Sequence, residues 1–241
     1  MQTGLYVAIS SQVALEKRLN TLADNVANSS TVGFRATEVK FNQVVADTQP
    51  AKVAFVSEGQ EFINTNNGGL RQTNNSLDFA IKGDAWFQIE TPAGPALTRD
   101  GRFTITDNGD LVTIRGYPVL DPGGAPIQLG NVAGPVEVGA DGLIRQNGAQ
   151  VASFGLYEAD FTNGFIRHEN SAVIPVTQPE PVVDRFDVGV LQGFVEESNV
   201  NAVQEMSQLI MVSRAFENIT ALMRDSEGTL DEAIKTLGGN R

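Results

Sequence analysis

Residues 97–120 read LTRDGRFTITDNGDLVTIRGYPVL, in which short apolar runs alternate with turn-forming pairs. The runs Phe103–Ile105 and Leu111–Ile114 are rich in the β-branched and aromatic side chains that favour strands. Asp100-Gly101 and Asn108-Gly109 are pairs that supply positive φ in tight hairpins. The stretch therefore predicts short strands that pair in antiparallel fashion with their neighbours.

The same alternation extends over residues 77–190, which we interpret as a central β domain. Asp141-Gly142 and Asn147-Gly148 predict two more hairpin turns. The spacing of these signals is too irregular for a repeat protein. The other predicted strands in this region are Leu77–Ile81, Trp86–Ile89 and Val151–Tyr157.

Two polar segments flank the predicted strands. Residues 36–76 are interpreted as an extended connector, because their Asn and Gly residues favour turns rather than a core. These turn formers are Asn64, Asn66, Asn67, Gly68, Gly69, Asn74 and Asn75. A second, proline-rich connector runs from Pro175 to Pro181 and leads to the C-terminal segment.

Residues 1–35 hold a predicted N-terminal helix. Its side chains at alternating spacings of three and four form an apolar seam with one polar member, Gln12. This N-terminal seam consists of Leu5, Ala8, Gln12, Leu15, Leu19, Leu22 and Val26.

Residues 191–241 hold a second and longer predicted helix. Asn201 and Gln204 predict a capping box at its start, with Ser198 or Asn199 as competing caps, and Gly238 and Gly239 predict its end. Val203, Met206 and Ile210 are expected to widen its apolar stripe. The C-terminal seam consists of Leu209, Val212, Phe216, Ile219, Met223, Ser226, Leu230, Ala233 and Leu237.

Neither end of the chain has enough neighbouring helix to form a bundle by itself. We therefore expect the two seams to pair with each other or with copies in other subunits. The ends also differ in charge, since residues 1–40 hold four basic and three acidic side chains and residues 196–241 hold four and eight. The predicted fold class is α+β, with a coiled-coil-like stem of terminal helices and a central, mostly antiparallel β domain.

Composition narrows the partners. A formal net charge of −12 disfavours nucleic acid and anionic membranes, and no apolar run is long enough for direct membrane insertion. The absence of cysteine excludes disulfides and thiolate metal sites. Leu5–Ile9 is too short and lacks the basic flank of a cleaved signal peptide. We therefore expect protein partners and, if the chain is exported, a route without such a signal.

Searches for catalytic spacings predict no enzyme, cofactor site or metal site. His168, the only histidine, lies in a charged segment that resembles a solvated loop. Carboxylate pairs cannot be assigned from sequence because their separation in space decides their chemistry. An extracellular domain that binds or cleaves polysaccharide, with Asp100 and Asp110 as candidate carboxylates, therefore stays an alternative.

Three separated stretches resemble flagellar rod and hook proteins. Near the N-terminus, Leu22–Asn28 and Thr31–Arg35 resemble the hallmark of the family, with mild departures at Asp24 and Val26. In this stretch Asn28 suits a left-handed helix stop, Gly33 suits a positive-φ turn, and Phe34 can anchor the emerging chain. The middle stretch comprises Leu77–Phe87, Leu97–Phe103, Gly109–Val112 and Gly116–Leu120. The third stretch comprises Gln192–Asn201, Glu205-Met206 and Arg214–Glu217.

This resemblance implies a structural subunit of the flagellar basal-body rod with no cofactor. It implies export through the flagellar type III apparatus into the periplasmic rod without a cleaved signal peptide. It also implies helical assembly with copies of the chain and with other rod proteins. The short length and the Phe34-Arg35-Ala36 junction favour a proximal over a distal rod subunit, two types that would differ within Phe34–Gln60.

The expected mechanism places both helices on the inner wall of a tube and the β domain outside it. The ends are expected to be partly disordered until assembly. The predicted assembly interface comprises Leu15, Leu19, Leu22, Val26, Asn28, Gly33, Phe34, Val203, Met206, Leu209, Val212, Phe216, Ile219 and Met223.

Overall fold

The computed structural model describes residues 2–48, 51–129, 134–169, 171–183 and 185–238. The chain forms two compact units. We call Met1–Val26, Thr37–Glu61 and Asn201–Arg241 the helical unit. We call Ala27–Ala36 and Phe62–Val200 the β unit.

The helical unit contains α1 (Gln2–Ala27) and α2 (Ala202–Leu237). It also contains strand β1 (Thr37–Lys40), which pairs with β4 (Gln60–Ile63), a strand that begins in this unit. Strands β2 (Gln43–Thr48) and β3 (Ala51–Val56) form an antiparallel hairpin. Residues 36–76, predicted as a connector, thus include several strands.

The described residues of the β unit form fifteen further short strands. They are β5 (Leu70–Gln72), β6 (Phe79–Lys82), β7 (Trp86–Thr91), β8 (Gly94–Thr98), β9 (Phe103–Ile105), β10 (Leu111–Thr113), β11 (Val136–Val138), β12 (Leu143–Gln146), β13 (Ala149–Ser153), β14 (Leu156–Glu158), β15 (Phe165–His168), β16 (Ala172–Pro175), β17 (Glu180–Pro181), β18 (Gly189–Gln192) and β19 (Phe194–Glu196).

The largest sheet has six strands in the order β15-β16-β8-β7-β14-β17. Its neighbouring strands pair antiparallel, as the sequence predicts. Two other pairs join distant parts of the chain, since β18 pairs with β6 and β19 pairs with β5. The last strands of the β unit therefore lie beside strands near its beginning.

Aromatic rings fill the core of the β unit. Phe79 and Phe87 each pack against Phe154, with ring centroids 5.0 and 5.1 Å apart, and Phe103 contacts the same cluster. A second cluster surrounds Trp86, whose ring meets that of Phe161 edge-on. Burial of these aromatic rings stabilises the β unit.

The predicted turns are confirmed at three of the four glycine pairs, because Gly109, Gly142 and Gly148 have positive φ. The prediction is wrong at Asp100-Gly101, where Gly101 does not adopt positive φ. Glycine is required there for a different reason, since a Cβ at Gly101 would lie 1.8 Å from the carbonyl oxygen of Phe79.

The helix caps also follow the sequence. The side chain of Asn201 accepts a hydrogen bond from the backbone N–H of Gln204 at 3.2 Å, so the predicted N-cap is confirmed. Gly238 is the C-cap, and its N–H donates to the carbonyl of Ile234. Gly239 and the side chain of Leu230 lie outside the described residues. Helices at both ends of a mostly β chain are thus confirmed, whereas their pairing as a coiled coil stays a proposal.

Candidate assembly site

A group of buried charges joins three distant segments of the β unit. We call Arg35, Asn67, Arg99 and Glu196 the charge cluster. Arg35 follows the Gly33-Phe34 turn, Arg99 follows β8, and Glu196 ends β19. Each of these three residues falls in a different stretch that resembles the rod and hook family, so the three motifs meet at one point.

One carboxylate pairs with both guanidinium groups. Glu196 Oε1 lies 2.6 Å from Arg35 Nη2, and Glu196 Oε2 lies 3.0 Å from Arg99 Nη1. The three side chains are only 1 to 2% exposed. Removal of one member of a buried ion pair leaves the other as an uncompensated charge. The burial of each of these three side chains is therefore favourable only while its partners are present.

The remaining polar groups of the charge cluster are largely paired. Asn67 Oδ1 accepts from Arg35 Nη2 at 2.8 Å and from Arg99 Nη2 at 3.1 Å. Arg99 also donates to the carbonyls of Ile81 and Gly83. Such bonds orient the two guanidinium forks and replace part of the water that burial removes.

Burial has the largest effect on the pKa values of the two arginines in the charge cluster. It lowers the pKa of Arg35 to about 10, although the Glu196 carboxylate acts in the opposite direction. Burial lowers the pKa of Arg99 as well, again against the effect of Glu196. A pKa near 10 still leaves Arg35 protonated at neutral pH.

Backbone contacts join the same segments. The N–H of Gly33 donates to the carbonyl of Glu196 at 2.8 Å. The N–H of Ala36 donates to Asn199 Oδ1 at 2.7 Å, and Asn199 Nδ2 donates to the carbonyls of Asn64 and Asn66. The segment that enters the β unit and the segment that leaves it are therefore hydrogen-bonded to each other.

The structure places three predicted assembly residues at this entry segment. Gly33 has a φ of +69°, and a Cβ there would lie 2.3 Å from the backbone N of Asp100. Phe34 is buried, with the Arg167 guanidinium 4.5 Å from its ring centroid. The expected left-handed stop at Asn28 is wrong: α1 ends at Ala27, and Gly33 is the left-handed residue of the segment. A buried Gly33 and Phe34 serve the fold of the β unit rather than an exposed surface.

The helical unit shows a graded burial of the other predicted assembly residues. Leu22 and Val212 are buried. Seven more are half-buried, namely Leu15, Leu19, Val26, Leu209, Phe216, Ile219 and Met223. Val203 and Met206 are 76% and 50% exposed.

The prediction that Val203, Met206 and Ile210 widen the C-terminal seam is wrong. At 100° per residue, Val203, Met206 and Ile210 lie on the side of α2 opposite the seam. Tyr6, Ile9 and Val13 form a similar exposed line on α1. We call these two sets the exposed stripes.

One buried amide was missed by the sequence analysis. Asn25 of α1 is hydrogen-bonded to Thr37 of β1 and to Glu205 of α2. The only indication of Asn25 in the sequence is that it lies in Leu22–Asn28, a segment that resembles rod proteins. The sequence likewise did not reveal the pairing of Arg99 with Glu196, because each is visible there only as part of a family motif.

The residues considered for catalysis have structural partners. Asp100 forms two hydrogen bonds with the guanidinium group of Arg102, at 2.8 and 2.6 Å. Asp110 accepts from Gln128 at 2.9 Å, and His168 lies in β15 rather than in a loop. Among the described residues, no three His, Asp or Glu side chains converge as they do around a metal ion. No helix described here has an apolar stretch long enough to cross a lipid bilayer.

Comparison with protein families finds three matches. Residues 5–35 match the family described as flagella basal body rod protein. Residues 80–146 match the flagellar hook protein FlgE/F/G D1 domain. Residues 191–236 match the C-terminal region of the flagellar basal body rod FlgEFG proteins.

Similar proteins carry related names. The chain is 74% identical over 241 residues to the flagellar basal-body rod protein FlgF of Rhizobium meliloti (strain 1021), covering 100% of both chains. It is 58% identical over 238 residues to FlgF of Mesorhizobium japonicum, covering 99% of each. It is 28% identical over 263 residues to FlgG of Bacillus subtilis (strain 168), covering 97% of this chain and 98% of that one. The chain therefore belongs to the family of flagellar basal-body rod and hook proteins, as a structural rod subunit.

Proposed function

We propose that the chain is a subunit of the proximal rod and polymerises with copies of itself and other rod proteins into a helical drive shaft. Its full-length similarity to FlgF, at 74% identity against 28% for FlgG, supports a proximal rather than a distal position. Head-to-tail contacts that do not close generate such a tube. Torque then passes through the rigidity of the assembled wall.

The observation that carries this proposal is the apolar surface of α1 and α2. Both helices have half-buried seams, and both also have exposed stripes on another face. Beyond Met223 the seam residues Ser226 and Ala233 are exposed, and Leu237 is 88% exposed. A helix that is apolar on more than one side needs more than one neighbour. Neighbouring rod subunits supply those neighbours.

The β unit contributes a preformed body to the assembly. Its aromatic core and charge cluster are complete within one chain. In the proposed rod this unit faces outward, and the helices line the inner wall. The assembly residues are then those on the helices, whereas Gly33 and Phe34 act indirectly by shaping the entry segment.

The division of the chain into a helical unit and a β unit is also compatible with export. We propose that the flagellar type III apparatus exports the subunit without a cleaved signal peptide and delivers it to the periplasmic rod. Helices that expose apolar side chains are marginally stable alone. They become ordered when neighbouring subunits cover them, which makes passage through an export channel compatible with a rigid product.

The test combines Leu19→Asp with Phe216→Asp, which places a charge in each half-buried seam. The matched control combines Asn20→Asp with Asn218→Asp, which adds the same charges at exposed neighbouring positions. Circular dichroism and limited proteolysis report the fold of the purified protein, and swimming assays report rod function. We expect the seam variant to keep its β unit and abolish motility, and the control to swim normally. A seam variant that unfolds the whole chain contradicts the proposal.

A further inference from the structure

The side chain of Asn25 lies at the point where three elements of the helical unit meet. It is 2% exposed, near the end of α1. Its Oδ1 accepts from the backbone N–H of Thr37 at 3.0 Å, and its Nδ2 donates to the carbonyl of Thr37 at 2.9 Å. The same Nδ2 donates to Glu205 Oε2 at 3.1 Å. We call Asn25, Thr37 and Glu205 the clasp.

The two bonds to Thr37 require a carboxamide. An amide presents one donor and one acceptor side by side, as a peptide group does in an antiparallel ladder. Asn25 thus pairs with the first residue of β1 as a neighbouring strand would. A shorter or purely apolar side chain removes both of these bonds to Thr37 from a buried place, which is costly.

The bond to Glu205 connects this pair to α2. Glu205 lies in the first turn of α2, where a carboxylate is favoured by the helix dipole. Its backbone N–H donates to the carbonyl of Asn201, the N-cap residue, at 3.0 Å. Glu205 is therefore held at a defined place on α2. Its bond to Asn25 connects that place to α1.

Polar contacts, rather than close apolar packing, join α1 and α2 near the clasp. A cleft of about 240 Å³ lies there, lined largely by polar side chains of α1, β1 and α2. Arg18 Nη2 also donates to Gln208 Oε1 at 3.4 Å, a bond that is exposed and weak. The clasp, by contrast, includes the buried side chain of Asn25.

We propose that Asn25 is a positioning residue that fixes the mutual orientation of α1 and α2, so that their seams and exposed stripes face the correct neighbours in the rod. This inference rests on the proposed function for its consequence in cells. Its structural part concerns the isolated chain and is tested separately. Glu205 shares the role as the acceptor on α2.

The absence of cysteine allows selective spin labelling at Asn20→Cys and Asn218→Cys, two exposed sites on α1 and α2. Electron paramagnetic resonance then measures the distance between the helices in the full chain. We expect a displaced or broadened distance distribution for Asn25→Ala and for Glu205→Ala. Glu205→Gln keeps an acceptor oxygen and is expected to retain the original distribution. Gln208→Ala, which removes only the exposed contact, is the matched control.

Trp86, the only tryptophan, reports the β unit separately because it is buried there. Its fluorescence should show an unchanged unfolding transition in both alanine variants. An unchanged distance distribution in both of them overturns the positioning role. A changed distribution with normal swimming overturns its importance for assembly but leaves the rod function itself intact. Loss of swimming together with a changed distribution, restored by Glu205→Gln in the Glu205 series, supports the proposal.

Discussion

The charge cluster and the exposed stripes differ in opposite directions from the usual burial of side chains, because the cluster buries charged groups and the stripes expose apolar ones. Arg35, Arg99 and Glu196 are charged groups that the β unit buries almost completely. Val203 and Met206 are apolar groups that α2 leaves at least half exposed. Proteins rarely bury charges unless they are paired, and extended apolar lines at the surface mark contact sites. The comparison separates a unit with a buried core within one chain from a unit that, in the proposed rod, is completed by its neighbours.

Breaking the charge cluster should produce the largest loss of stability. Glu196→Gln leaves Arg35 and Arg99 without their common counter-charge in a buried site. We expect the free energy of unfolding to fall by about 3–5 kcal/mol. Urea unfolding followed by the fluorescence of Trp86 measures this change.

The control is the adjacent residue. Glu197 pairs with Arg71 at 3.1 Å, but both side chains are about half exposed. Glu197→Gln should therefore cost less than about 1 kcal/mol. Equal losses in the two variants would show that burial of the cluster does not govern its contribution.

The Gly33 turn provides the second test. Gly33→Ala adds a Cβ that would lie 2.3 Å from a backbone atom of Asp100, in addition to the strain of positive φ. Left-handed strain and overcrowding together should cost about 2–4 kcal/mol. Thermal unfolding of the purified protein measures the loss.

Gly148→Ala separates the two causes. Gly148 has a φ of +76°, and nothing lies within 4 Å of its added Cβ. This variant should lose only about 1–2 kcal/mol, from backbone strain alone. If it matches Gly33→Ala, close approach to Asp100 contributes nothing.

Removal of the N-cap of α2 should have a smaller effect, confined to the helical unit. Asn201→Ala deletes the acceptor for the N–H of Gln204 and should cost about 1 kcal/mol of helix stability. Circular dichroism at the helix band detects the change, while the Trp86 transition should stay in place. A shift of that transition would mean that the units do not respond separately.

The exposed stripe of α2 should show the smallest effect on stability. Val203→Ser with Met206→Ser replaces side chains that are already at least half exposed, so the free energy of unfolding should change by no more than about 0.5 kcal/mol per site. Swimming should nevertheless be lost, because neighbouring subunits no longer find an apolar surface. Normal swimming of this variant removes the stripe from the proposed interface.

The sequence predicted the elements of the fold better than the contacts among them. Turn pairs such as Asn147-Gly148 and the Asn201 cap depend on neighbouring residues, so their signals are local. The pairing of Arg99 with Glu196 joins residues 97 positions apart, and no periodicity encodes it. Gly101 shows the same limit, since the nearby carbonyl of Phe79 decides why glycine is needed there.

Helical rotation applied to the sequence is enough to locate the exposed stripes, and the predicted widening of the C-terminal seam is wrong. Val203 and Met206 are apolar and precede this seam closely, but apolar character does not place them on its face. The helical rotation of 100° per residue places them away from Val212 and Phe216. The predicted assembly residues thus comprise two surfaces on α2 and, with Gly33 and Phe34, part of the core of the β unit.

The closure of the β unit by its last strands has a kinetic consequence. Ala36 and Asn199 bond to each other although they are 163 residues apart, and β19 pairs with β5 nearby. Contacts between such distant residues make folding slow, because a long loop must close before they form. In the export that we propose, the unit cannot be completed until both segments have left the channel, whichever end leaves first. This topology would delay folding of the β unit during the proposed passage and allow the unit to become rigid only afterwards.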